Sequence, residues 1–391
     1  MYHNIINTIK DEFRAIFTDG GAMLLCIFAI LIYTLVYSTA YGSEVVRNVS
    51  VCIVDNDNTP SSRKLINGLI SGPRTKLKYE TRTISEAKDL FYKQDVFGII
   101  YIPDDYEHQL ISGLQSNVAV ILDGSHLLLY KQVLEQVSYD VAYRGASVET
   151  ARLISNGDNA IEIASTIQPI KLSTTHLYNP SLGYGSFVMP SILIVIIQQT
   201  LLIGLALIHA RRSQQNTIIE PLSTQKAAII TFAKILTYTI IYSINLTFIL
   251  GAVWPIFGFP FAGKLLDIAI LLLLYLIAAT ALSIALSHLF KRRESPIILL
   301  LWSSVPILLL AGVSYPREAF PQIIYLIGRI IPSSSAVDAF ISIGTMGASL
   351  TEVKAEVATL CTLAIIYIII AIYTQKRCSY NKKIDKGVEY L

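Results

Sequence analysis

From Gly185 to Ile208 the chain runs GSFVMPSILIVIIQQTLLIGLALI without a charged side chain. As an α-helix this run rises about 35 Å, enough to cross a hydrocarbon core of about 30 Å. A helix apolar on every side has no face to offer water, so it belongs in lipid or in a protein interior. Five further runs share this character, at about 22–41, 232–258, 266–288, 296–315 and 356–375. The expected fold class is an α-helical polytopic membrane protein with six transmembrane helices. Composition agrees: 15% of residues are charged and 53% hydrophobic, where a soluble domain carries about a quarter charged residues. The net charge of +3 gives no case for nucleic acid as a partner.

The first run is longer than a signal-peptide core, follows a polar helix, and has no small-x-small cleavage site after it. It reads as a retained anchor. Residues 2–17 place Tyr2, Ile5, Ile6, Ile9, Phe13, Ile16 and Phe17 at helical spacing, which predicts an amphipathic helix over residues 1–20 lying in the membrane interface. Orientation follows from the basic residues beside the spans. Lys10, Arg14, Arg211, Arg212, Lys226, Lys291, Arg292, Arg293, Lys376, Arg377, Lys382, Lys383 and Lys386 fall on one side. The short loops on the other side carry only Lys264, Arg317, Arg329 and Lys354. Both termini are then cytoplasmic, including the tail 376–391, and residues 42–184 are extracytoplasmic.

That long segment reads as an inserted α/β domain. Asn48–Asp55, Leu77–Thr83, Val96–Ile102 and Asn117–Asp123 have strand character. Helices are expected from Thr59-Pro60, from the capping box Thr83-Ile-Ser-Glu86, after Pro103, and from Asp123 to about residue 165. In the closing block, 185–375, the polar loop 210–226 joins two spans. The segment 316–354 contains Pro316, Pro321 and Pro332 and the short apolar stretch IIYLIGRII. It is too short to span and is expected to be re-entrant.

No catalytic or metal-binding constellation emerges. Gly258-Phe-Pro-Phe-Ala-Gly263-Lys264 fits G-x-x-x-x-G-K, but Leu265 follows where a phosphate loop needs Ser or Thr. Asp55-Asn-Asp57-Asn-Thr-Pro60 starts like a calcium loop, then has Pro60 and Ile66 where Gly and Glu belong. The six histidines lack metal spacing, and Cys52 is alone in its domain, so no disulfide framework is expected. Ionisable residues inside spans usually mark ion-driven carriers. Here His209, Lys234, Asp267 and His288 sit near span ends, so energy has to come from a partner. Gln198, Gln199, Tyr238, Tyr242, Asn245, Ser283 and Ser303 are polar residues within spans. They are candidates for lining a pathway or for joining helices.

These features together resemble the membrane subunits of type 2 ABC exporters, in the subgroup with a large external domain between the first two spans. Val54-Asp55-Asn-Asp57-Asn-Thr-Pro60-Ser61-Ser62-Arg63 is similar to that family's V-D-x-D-x-S-x-x-S-x opening. Gly98-Ile-Ile-Tyr-Ile-Pro103-Asp-Asp-Tyr106 is similar to its G-x-x-x-I-P-x-x-F segment. Tyr178-Asn-Pro180 and Phe187-Val-Met-Pro190 resemble its entry to the second span. In the 210–226 loop, Arg211, Thr217, Glu220 and Leu222 match its R-E-x-x-x-G-T-x-E-x-L stretch, with Arg212 in place of the acidic residue. The resemblance implies a permease in the bacterial inner membrane that moves drug-like, lipidic or other amphipathic substrates outward. It implies a second copy or paralogue of the permease, a cytoplasmic ABC ATPase subunit holding ATP and Mg, and no cofactor on this chain. Arg211, Arg212, Thr217, Glu220 and Leu222 would contact the ATPase, with Phe13, Arg14 and Phe17 beside them. Membrane lipid and a periplasmic adaptor are further expected partners. The alternative class is a membrane-anchored sensor or ligand-binding protein that uses the external domain. A block of five closing spans is more than such a protein needs.

Overall fold

The computed structural model describes residues 2–157, 159–170, 173–215, 223–313 and 315–388. They form two compact units, one of Val45–Thr175 and one of the flanking segments, Met1–Glu44 with His176–Leu391. In chain order the elements are α1 (Tyr2–Thr18), α2 (Gly20–Tyr41), β1 (Val49–Asp55), α3 (Pro60–Ser71), β2 (Thr75–Thr81), α4 (Ile84–Tyr92), β3 (Gly98–Ile102), α5 (Tyr106–Ile111), β4 (Ala119–Leu122), α6 (Leu127–Ser155) and α7 (Ala160–Ile167). Then follow α8 (Tyr184–Gln214), α9 (Thr224–Ile256), α10 (Leu265–Ser287), α11 (Glu294–Leu310), α12 (Gln322–Ile330), α13 (Pro332–Thr345) and α14 (Lys354–Val388).

In the smaller unit the sheet order is β2-β1-β3-β4, with β1 parallel to β2 and β3, and β4 antiparallel to β3. Side chains alternate across a strand, so the apolar run of β1 feeds two cores. Val49, Val51 and Ile53 pack with Leu65, Leu69, Ile100, Val133 and Val137 on the face covered by α3 and α6. Cys52 and Val54 pack with Ala87, Val96 and Ile99 on the face covered by α4. A reciprocal capping box forms between Thr59 and Ser62 at the start of α3, while at the start of α4 the Thr83 hydroxyl accepts from the Glu86 N–H. The aborted calcium loop is a knot of internal bonds. Asp55 Oδ1 accepts from the N–H groups of Asp57 and Asn58, its Oδ2 accepts from Ser62, and Glu107 accepts from the Ser61 N–H and hydroxyl.

In the larger unit five helices among the described residues are long and apolar enough to cross a membrane: α2, α8, α9, α10 and the Lys354–Arg377 part of α14. Helix α10 is central and packs on α8, α9, α13 and α14. The bounds of the expected fifth span, 296–315, are corrected. Helix α11 has 17 residues and ends at Leu310, a rise of about 25 Å. Gly312 then adopts φ +81°, with its Cα against the Arg317 stem. The apolar run extends past the helix because Ala311 and Val313 are buried in the turn. Helix α11 is thus shorter than the five long apolar helices among the described residues. The sixth candidate is the pair α12 and α13, bent by 92°. Ile331 at the bend is extended (φ −90°, ψ 120°), as the residue before Pro332 is obliged to be.

The G-x-x-x-x-G-K stretch is a structural loop. Gly258 takes φ +69°. The N–H groups of Ala262 and Gly263 donate to the Gly344 carbonyl at the end of α13. A Cβ on Gly263 would lie 2.5 Å from the Ile343 carbonyl oxygen, so the glycine is there for close backbone approach.

Candidate functional site

The basic ends of the spans carry a buried, highly charged constellation among the described residues of the larger unit. It begins with α1, which lies against α9. Ile16 and Glu12 face inward and are buried, Phe13 is half-buried, and Arg14 is exposed. Phe17 is 58% exposed and Ile6 is 50% exposed, so the apolar stripe of α1 is divided between a protein-facing and an outward-facing side. Asp19 follows and caps α2, its Oδ1 accepting from the N–H groups of Gly21 (3.0 Å) and Ala22 (3.1 Å).

Three guanidinium groups converge on the two acids. Arg211 Nη1 lies 3.1 Å from Asp19 Oδ2, and Arg293 Nη2 lies 2.7 Å from Asp19 Oδ1. Arg212 pairs with Glu12. The carboxylate side chains are 1% and 2% exposed, whereas Arg211, Arg212 and Arg293 are 32%, 27% and 44% exposed. Buried charges of this kind persist only when paired. Asp19 thus ties together the start of α2, the end of α8 and the loop after α10, and Glu12 ties α1 to α8.

Sequence reasoning singled out Arg211 and Arg212, counted Arg293 only among the basic residues that set orientation, and missed both acids. It also placed Lys234 near a span end. Lys234 is buried and its Nζ donates to Gln375 Oε1 on α14 at 3.3 Å. Beside this pair the rings of His209 and His288 lie 4.4 Å apart, and His288 Nδ1–H donates to the Ile284 carbonyl. Thr217, Glu220 and Leu222 lie outside the described residues, which resume at Ser223; its hydroxyl accepts from the Lys226 N–H and caps α9.

Three of the seven polar residues within the spans, Gln198, Tyr242 and Asn245, join helices. Tyr242 Oη donates to Thr200 Oγ1 (3.0 Å), Asn245 Nδ2 donates to the Cys26 carbonyl (3.2 Å), and Ser283 Oγ donates to the Ala279 carbonyl of its own helix. Gln198 Oε1 accepts from the Ser333 N–H (2.9 Å), which fixes the start of α13 to α8. Gln199 and Tyr238 are buried, and among the described residues the Gln199 amide and the Tyr238 hydroxyl have no hydrogen-bond partner. Ser303 is half-buried on α11. At the opposite ends of the spans, Arg317 is 6% exposed and joins three elements. It pairs with Asp338, donates to the Ser334 carbonyl and lies over the Tyr325 ring. No group of His, Cys, Asp or Glu among the described residues is arranged to hold a metal ion.

Residues 22–373 match the model of the ABC-2 family transporter proteins. The chain belongs to this family. The permease is 22% identical over 329 residues to the probable multidrug ABC transporter permease YbhR of Escherichia coli strain K12, which covers 82% of this chain and 84% of that protein. It is 23% identical over 380 residues to the inner membrane transport permease YhhJ of the same strain, covering 94% of this chain and 96% of that protein. A membrane permease subunit of an ABC transporter works with an ABC ATPase subunit. The long apolar helices of this permease accord with transport.

Proposed function

We propose that this permease couples ATP hydrolysis by a separate cytoplasmic ATPase subunit to outward movement of an amphipathic substrate, drug-like or lipidic, across a bacterial inner membrane. The observation that carries the reading is the clasp of Glu12 and Asp19 on Arg211, Arg212 and Arg293. It joins α1, α2, α8 and the loop after α10 beside the 210–226 loop, where the ATPase would push. The excess of Lys and Arg supports a cytoplasmic position for this end, with both termini. The unit holding the sheet is then an inserted extracytoplasmic domain, open to a periplasmic adaptor. Two permease chains, identical or paralogous, form the gate, with lipid around them. ATP and Mg stay with the ATPase. Arg211, Arg212, Thr217, Glu220 and Leu222 meet the ATPase, with Phe13, Arg14 and Phe17 at its margin. The exposure of Phe17 and Arg14 leaves both available for that contact.

The test is co-purification of the tagged permease with an ABC ATPase, followed by ATP turnover of the complex in lipid. The Glu220→Ala variant is expected to lower turnover several-fold or to lose the ATPase. Undisturbed complex formation and turnover in every variant of the 210–226 loop would remove the coupling assignment. Uphill transport by the permease alone in vesicles would remove the whole reading.

A further inference from the structure

The arginine side of the clasp faces the expected ATPase, but the centre of the clasp is an acid that no motif singles out. We propose that Asp19 is a positioning residue. It makes the end of α8, the start of α2 and the start of α11 move as one body when the ATPase acts, and so passes that movement to the bent pair α12–α13 at the far side. This rests on the coupling reading above and assigns the joint through which coupling travels.

One carboxylate makes four contacts. Two go to the first N–H groups of α2, one to Arg211 on the last turns of α8, and one to Arg293, the residue before α11. The side chain is 1% exposed. Sliding any one of these elements against the others would uncouple a buried charge from its partner, which is far costlier than moving them together. Movement given to α8 at Arg211 is therefore shared with α11. Helix α11 runs to the other end of the unit, where its Leu310 carbonyl accepts from the Ser334 hydroxyl of α13 at 3.3 Å. The Gly312 turn just beyond it packs on Arg317, the residue bound to Ser334 and Asp338. A continuous set of packed and hydrogen-bonded elements thus joins the clasp to the bent pair, a route along which coupling can travel.

Asp19→Asn is the informative change. Asn caps a helix as well as Asp does, so α2 keeps its start while both ion pairs go. The full permease would be purified with its ATPase and placed in lipid nanodiscs, in a background with Cys361→Ala and Cys378→Ala. A cysteine introduced by Ser349→Cys, in the loop after α13, then reports movement. Its rate of reaction with a maleimide is measured with no nucleotide and with ATP plus vanadate. The expected result is that Asp19→Asn keeps the ATPase bound and hydrolysing while the nucleotide-dependent change in labelling falls several-fold. A purely structural role for Asp19 would lower ATPase retention and labelling response together. A labelling response undiminished by Asp19→Asn overturns the proposal. Should that variant fail to accumulate, Arg293→Gln leaves the Asp19–Arg211 bridge and the cap in place. Loss of the response there supports the joint, and an undiminished response overturns it. A wild-type chain that recruits no ATPase sinks the functional reading itself, an outcome separate from either of these.

Discussion

Arg212→Ala will destabilise the larger unit by about 3–5 kcal/mol, the usual effect of removing one partner of a buried ion pair. The reason is the acid left behind. Glu12 is 2% exposed and Arg212 is the partner of its Oε1. Its Oε2 has no hydrogen-bond partner among the described residues. Without the guanidinium, the carboxylate stays buried as an uncompensated charge or takes up a proton. The largest part of the loss should appear in α1, which would be released from α8 and become sensitive to protease. Glu12→Gln added to Arg212→Ala removes the charge that causes the damage, so the double variant should recover about half of the loss or more. Thermal unfolding of the purified permease in detergent, read for the wild type, both single variants and the double, checks the non-additivity. A double variant less stable than Arg212→Ala by the full effect of Glu12→Gln would show that the two residues do not act as a pair.

The main elements of this permease were legible because their signals are local. An uncharged run of 24 residues from Gly185 to Ile208 has few alternatives to a span. The strand β1 shows in the letters as a short apolar run, and it is buried on both faces. The joint was not legible, because its partners are far apart in the chain. Asp19 could be read as a helix cap from Asp-Gly-Gly-Ala ahead of an apolar run. Nothing local says that Arg211, 192 residues on, and Arg293, 274 residues on, meet it. Glu12 carries no local signal for its pairing with Arg212, 200 residues on. The overlong fifth span had a readable warning in Gly312, since glycine just past an apolar helix commonly marks its end. Hydropathy continued through Ala311 and Val313 because they pack in a turn, and apolar burial does not distinguish a turn from a helix. The Gly258–Lys264 match failed in the opposite way. Two glycines needed for a tight turn and a close backbone contact imitate the spacing of a phosphate loop.

Gly204→Ala should destabilise the packing of α8 on α2 by about 1–3 kcal/mol, the range for extra carbon forced into a filled core. A Cβ at Gly204 would lie 2.4 Å from Cys26 Sγ, and Cys26 is fully buried. The sulfur has little room to retreat. Asn245 already bonds the Cys26 carbonyl from α9, which holds this part of α2 in place. Small residues at helix crossings in membranes exist to allow such close approach. The contact also predicts its own cure. Cys26→Ala takes away the sulfur and leaves a space next to Gly204, at a modest loss by itself. In the Cys26→Ala, Gly204→Ala double variant the new methyl group occupies that space, and most of the loss from Gly204→Ala should return. Melting of the four purified chains under one detergent condition decides it. If Gly204→Ala alone melts with the wild type, α2 and α8 lie further apart than this crossing requires.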